Sequence, residues 1–221
     1  MAAREVLVVV AAGPGLGRSV ALRFAREGVA VGLLSRSAGS AEALADELRA
    51  AGSPEVAVAT ADVGDERALR DALGQLRGRL GPATAMVYNG SAFVQGSGLT
   101  LAAADLRLAL AVGVTGAMVA AQEVAPAMRE AGRGTLLLTG SVAADRASTG
   151  ATAVGVAKAA LRNLALSLHK ELAPDGVRVT TVTIDGVLQG PKALDLDEIA
   201  DLYWRLHTGP VSPPPVVIHP S

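Results

Sequence analysis

The stretch Val10-Ala11-Ala12-Gly13-Pro14-Gly15-Leu16-Gly17 decides the fold. Before it runs an apolar segment, residues 5–11, which reads as a buried strand. After it, residues 16–27 show helical spacing: Leu16, Val20, Phe24 and Ala25 share one face, and Arg18, Arg23 and Arg26 share the other. Gly28 stands where such a helix would end. Glycines between a first strand and a first helix let the backbone turn sharply and approach a pyrophosphate, which the helix N-terminus favours electrostatically. Glycines also simply make turns. It is the position after the first strand that points to a dinucleotide loop.

Outward from that turn, strand and helix patterns alternate. Residues 30–34 read as a strand, 41–51 as a helix closed by Gly52, Val56–Thr60 as a strand and Glu66–Leu80 as a helix with Leu69, Leu73, Leu76 and Leu80 in register. Residues 84–88 form the next strand. A long helix over 102–130 is expected to kink or break at Pro126. Then follow a strand at 135–139, a helix at Thr152–Leu172, a strand at Val177–Ile184, a short helix at 197–207 and a last strand at 216–218, led in by an extended segment at 210–215. This is the signature of βαβ units. The expected fold is α/β: a Rossmann-type, doubly wound, mostly parallel seven-stranded sheet with helices on both faces, in three layers. No repeat or boundary divides the chain, so residues 1–221 read as one dinucleotide-binding domain.

Composition agrees. Half of the 221 residues are hydrophobic but only 2% are aromatic, so Ala, Val and Leu must fill the core. A net charge of −1 offers no basic field for nucleic acid or an anionic membrane. With no cysteine there is no thiol chemistry, and His169, His207 and His219 are too scattered in sequence to suggest a metal site. The apolar run at 6–12 is too short to span a membrane, and a cytoplasmic protein is expected.

On this loop and on the motifs that follow, the chain resembles the short-chain dehydrogenase/reductase family along nearly its whole length. That family's loop is T-G-x-x-x-G-x-G. Gly15 and Gly17 match its last two glycines, Gly13 and Leu16 lie within it, and Val10 and Ala11 replace its Thr and first Gly. The resemblance implies cofactor contacts at Ser35 and Arg36, at Asp62-Val63, at Asn89-Gly90 and at Asp185-Gly186. An acid at the position of Ser35 would favour NAD. Ser35 followed by Arg36 favours NADP(H) over NAD(H), because a guanidinium can clamp a 2′-phosphate; alternatively Arg36 is one exposed arginine among many. Asp62 either meets the adenine or caps the next helix. Asn89 either floors the cofactor or holds strands together. Asp185 either reaches the nicotinamide amide or makes the turn.

The resemblance also implies a catalytic Ser, Tyr and Lys supported by an Asn. Ser141, in Thr139-Gly140-Ser141-Val142, matches the Ser. Lys158 matches the Lys and either contacts the cofactor ribose or snorkels to the surface. Val154 stands where the Tyr belongs, and Gly113 where the Asn belongs. Valine can neither give nor take a proton. Tyr203, His207 and Asp145 are the substitutes to consider, against a reading in which Tyr203, Trp204 and Leu206 pack the short helix and His207 sits at its C-terminus.

Three functions remain open from sequence. One is an NADP(H)-dependent oxidoreductase acting on a small carbonyl or alcohol with an unusual proton source. Another is a non-redox enzyme on the same scaffold, such as a dehydratase, isomerase or cyclase. The last is a cofactor sensor or partner subunit. The resemblance further implies a homodimer or homotetramer through the helices at 102–130 and 152–172, or a mixed oligomer, and a short lid at 187–210.

Overall fold

β1 (Val6–Val10) runs through the middle of the protein, and every one of its residues is apolar and buried. Val6, Val8 and Val10 join one core while Leu7 and Val9 join the other, as pleating requires. Strands apolar on both faces need cover on both. α1 (Leu16–Ala25), α2 (Ala38–Ala50) and α7 (Leu196–Thr208) supply one layer; α3 (Glu66–Leu80), α5 (Gly116–Glu130) and α6 (Thr152–Leu172) supply the other. α4 (Ala103–Leu110) packs Ala109 against Ala153 and Ala157 of α6. The computed structural model describes residues 4–188, 190, 193–209 and 216–219, the last four by backbone alone.

Between the helical layers lie β2 (Ala30–Ser35), β3 (Val56–Thr60), β4 (Ala85–Tyr88), β5 (Gly134–Ser141), β6 (Val177–Ile184) and β7 (Val216–His219). With β1 they form a seven-stranded sheet in the order β3-β2-β1-β4-β5-β6-β7. Every neighbouring pair is parallel. The strand order reverses between β1 and β4, where Val10 stands opposite Tyr88. Connections leave that point in opposite directions, so a crevice opens beyond the strand ends, which is where doubly wound sheets bind ligands.

The expected architecture is therefore the observed one, with local corrections. α2 begins at Ala38, earlier than the leucine pattern indicates, and β5 is longer at both ends. Pro126 does not break its helix: α5 runs through it. Pro126 and Gln122 are both exposed, so water can take the carbonyl bond that proline cannot make. The irregularity lies one level up, at Ala111–Thr115, where five residues form a π-helical turn between α4 and α5. Its cause is a side chain entering the helix ladder, described below. The reading of 210–215 falls outside the described residues.

α7 docks on α1 through the only tryptophan. Trp204 meets Phe24 edge to face at 5.0 Å, and the Arg23 guanidinium lies 5.1 Å from the Trp204 ring centre. Its last turn is fixed at the N-terminal edge of the sheet. There His207 Nδ1 lies 3.1 Å from Thr135 Oγ1, and Nε2 lies 3.4 Å from Glu5 Oε2. Thr84 Oγ1 donates to the same Glu5 oxygen at 2.7 Å.

These partners set a pH dependence. The hydrogen bond from His207, with that from Thr84 and the charges of His207 and Arg133, outweighs burial and lowers the Glu5 pKa from 4.5 to about 2. A depressed carboxylate stabilises the fold above its unfolded pKa and loses that contribution as pH falls through the folded one. The stability gap between wild type and Glu5→Gln, measured by denaturant unfolding, should be widest above pH ~4.5 and shrink toward zero near pH ~2. A gap that does not change with pH would mean that Glu5 is not held ionised by these partners.

Candidate functional site

Three glycines of the first turn do different work. A Cβ on Gly17 would sit 3.3 Å from Ala12 Cα and 3.4 Å from Asn89 Nδ2, so Gly17 lets α1 press onto the end of β1. Around Gly13 and Gly15 there is open space within 4 Å. Gly15 is the N-cap of α1 and brings no side chain to the helix end. The first amides that bond back into the turn are those of Arg18, to Gly13 and Gly15, and Ser19, to Gly15. The amides of Gly15, Leu16 and Gly17 precede them and remain available to an anion.

Ala11 shows what the departure from the family loop does to the backbone. It has φ +60°, the one non-glycine with positive φ among the described residues. The chain needs a left-handed residue here, and alanine adopts it against the contact between its Cβ and the following carbonyl. Strain of this kind persists only where the surroundings over-determine it. Here the Ala12 amide bonds to Leu34 O at 2.8 Å and the Asn89 amide to Val10 O at 3.0 Å.

Beyond this turn opens a cleft of about 760 Å³. Of the residues expected to hold a cofactor, Gly13, Ser35, Arg36, Asp62, Val63, Asn89 and Gly90 line it together. Arg36 is exposed and has no carboxylate partner among the described residues. Ser37 and Ser40 stand beside it on the wall; they were missed in the sequence, although they follow Arg36 directly. Asp62 is not a helix cap. Its Oδ1 accepts from the Gly64 amide at 2.8 Å, and Asp65 caps α3 instead, accepting from Ala68 at 3.0 Å. The opposite wall is apolar and includes Phe93, Val94, Leu108 and Val112.

That wall is set by Tyr88, one of the two tyrosines in the chain. It is fully buried, and its phenol donates to Val112 O at 2.5 Å. This is the intrusion that opens the π turn. Gly90 and Gly116 make room for the ring: a Cβ at Gly90 would lie 2.7 Å from it, and one at Gly116 would collide with the phenol oxygen. Burial, with Asp62 nearby, pushes the Tyr88 phenol above its usual range.

The expected chemical groups lie elsewhere. Ser141, Lys158, Asp185 and Gly186 are not among the residues lining this cleft. Ser141 is half-buried at the end of β5, and its Oγ accepts from the Ala143 amide at 3.2 Å. Lys158 does not snorkel. It is 6% exposed, and its Nζ donates to Thr139 O at 2.6 Å. Burial lowers its pKa from 10.5 to about 8. Val154 is one turn before it on α6, and Gly113 faces α6 so closely that a Cβ would come 3.2 Å from Ala157 Cβ.

No substitute acid is brought to these groups by the residues considered. Tyr203 is fully buried in the α1–α7 layer, hydrogen-bonded to Thr139 Oγ1 at 2.8 Å, and burial pushes its phenol up. His207 sits by Thr135, six residues along β5 from Ser141, or about 20 Å at the usual strand rise. Asp145 is paired with Arg162 at 2.5 Å, and that bond holds its carboxyl below the usual range. Asp185 is clamped by Arg146, with contacts of 2.7 and 2.9 Å. The packing reading of α7 is therefore the correct one for Tyr203 and His207.

Comparison with known proteins finds the same family and fold. The short chain dehydrogenase family model matches residues 5–191. A curated relative, the (2S)-[(R)-hydroxy(phenyl)methyl]succinyl-CoA dehydrogenase subunit BbsC of Thauera aromatica, is 34% identical over 184 residues, covering 83% of this chain and 72% of its own. A metagenomic short-chain oxidoreductase solved in complex with NADP superposes with TM-score 0.89 at 26% identity, over 98% of this chain and 97% of its own. A short-chain dehydrogenase/reductase from Serratia marcescens gives TM-score 0.85 at 26% identity, over 99% and 96%.

The strained alanine yields a direct test. Left-handed geometry costs an L-residue roughly 1–2 kcal/mol, and glycine returns part of the gain through its freer unfolded chain. Ala11→Gly should stabilise the protein by about 0.5–1 kcal/mol, seen as a higher denaturant midpoint at unchanged slope. Destabilisation would show that the Ala11 methyl contributes more to packing than its backbone loses to strain.

Proposed function

This chain belongs to the short-chain dehydrogenase family, and we propose that it is an NADP(H)-binding oxidoreductase with a non-standard active site. Its nucleotide half is kept, and the Tyr-dependent proton transfer is lost. One observation carries the reading: the cleft beside the first turn is lined by Arg36, which has no carboxylate partner among the described residues, while both tyrosines of the chain are buried as structural hydrogen-bond donors or acceptors.

The residues fit the cofactor's adenosine half. Open space at Gly13 and Gly15 and the free amides at the start of α1 suit a pyrophosphate. Arg36, flanked by the hydroxyls of Ser35, Ser37 and Ser40, suits a 2′-phosphate. When bound, the reduced cofactor supplies a hydride. Ser141 is the residue to polarise a carbonyl oxygen, and Lys158 holds a positive charge one turn from Val154. The proton then comes from water, without the factor of about 10²–10⁴ that a positioned acid contributes. The substrate is a small carbonyl or alcohol.

A second reading has an observation of its own. The Thauera aromatica relative is named as a dehydrogenase subunit, and Leu108, Met118 and Val156 are exposed on the helices at 102–130 and 152–172. A homodimer, a homotetramer or a mixed oligomer with an active relative would cover them.

Calorimetric titration separates the claims. NADPH should bind more tightly than NADH, and Arg36→Ala should weaken NADPH about tenfold or more while changing NADH less than about twofold. Equal affinities in wild type would sink the 2′-phosphate role. With a small diketone as hydride acceptor, Val154→Tyr should raise the rate of NADPH oxidation about 10²–10⁴-fold. An inert Val154→Tyr variant that still binds NADPH would mean that a second missing group, such as the Asn replaced by Gly113, also limits the chemistry.

A further inference from the structure

A doubly wound sheet receives a dinucleotide in two halves, one over the first three strands and one over the later ones. The open cleft belongs to the first half. Over the second half, beyond the ends of β5 and β6, the chain folds onto itself. Arg146, in the loop after β5, grips Asp185 at the end of β6 with both guanidinium nitrogens on both carboxylate oxygens, at 2.7 and 2.9 Å. The carboxylate is 19% exposed and the guanidinium 69%. Next to Asp185, Gly186 is exposed but backs closely onto Leu194: a Cβ there would lie 2.8 Å from Leu194 Cδ1. Leu194 is brought back by a bond from its amide to Val187 O at 2.9 Å, and Leu188 and Leu194 pack on the core beneath α7. The loop carrying Arg146 is itself tethered to α6 by the Asp145–Arg162 pair.

We propose that the Arg146–Asp185 pair is a latch across the second half of the crevice. The adenosine half of the cofactor engages first, and the nicotinamide half enters only when the pair opens. This rests on the nucleotide-binding reading above. The pair has the right strength for a gate. A bidentate pair with an exposed arginine is geometrically exact enough to hold two loops, yet solvent screening keeps its net contribution small enough for a ligand to displace it. Arg162, which bonds Asp145 and reaches Thr183 Oγ1 at 3.4 Å, ties the same loop to β6 further in, so Arg146–Asp185 is the outer of two ties.

Two probes test it: adenosine 2′,5′-bisphosphate, which carries only the first half, and NADPH, which carries both. In wild type, NADPH should bind no more than about threefold more tightly than the bisphosphate. Arg146→Gln should leave the bisphosphate unchanged and tighten NADPH about three- to fivefold. The sign is diagnostic, because removing a cation ordinarily weakens a polyanion. Asp185→Asn should give the same gain in the ratio of the two affinities, and the double variant no further gain. An unchanged ratio in folded Arg146→Gln overturns the latch, as does a parallel shift of both ligands. Failure of wild type to bind the bisphosphate overturns the nucleotide-cleft reading itself, and the latch falls with it.

Discussion

The shape of the first turn depends on the approach of α1 to β1. A helix N-terminus acts on an anion only within its first turn, so the helix must start almost at the strand end, directly over the switch point. Gly17 against Ala12 makes that possible. The rest of the loop follows from it. Within the five-residue connection between Val10 and Leu16, Ala11 turns left-handed despite its methyl group. The same approach brings Asn89 against Gly17 and fixes β4 beside β1. The inner wall of the cleft is thus a consequence of packing, in place before any ligand arrives.

The other side of the crevice obeys a different constraint. Tyrosine is scarce here, and a buried phenol must find a partner. Tyr88 reaches a backbone carbonyl and bends the long helix into a π turn; Tyr203 meets Thr139 and pins α7 to β5. Each is fully buried, its phenol is engaged by a hydrogen bond, and burial raises its pKa. The acids near Ser141 are similarly engaged, because in an arginine-rich chain Asp145 and Asp185 are both held by guanidinium groups.

Much of this was legible in the sequence, for identifiable reasons. The sheet and its layers could be read because apolar periodicity distinguishes buried strands such as β1 from one-sided helices such as α3. The nucleotide side could be read because its residues are close in sequence to the strand ends that place them: Ser35 ends β2, and Arg36, Asn89, Asp62 and Gly13 come within three residues of the strands before them. What could not be read depends on long-range partners. Pro126 looked like a helix breaker, but the break is made by Tyr88, which enters from a strand more than twenty residues away. Asp185 and Arg146 are separated by 39 positions, so no local pattern announces their pairing. Lys158 looked the same on paper whether it snorkelled or was buried; only the tertiary fold decides that its amine meets Thr139 O.

This division between local and long-range signals matches a division in energetics. In the function proposed above, the groups on the nucleotide side act by ground-state binding. Backbone amides and a guanidinium hold phosphates equally before and during reaction, so they set affinity and not the rate of the chemical step. In the function proposed above, a tyrosine at the position of Val154 would belong to the other class, whose contribution appears only in the transition state. A chain can therefore shed the second class without disturbing the first. Gly113 is buried against Ala157 of α6, the helix that carries the half-buried Val154 one turn earlier, so small residues suit this packed face.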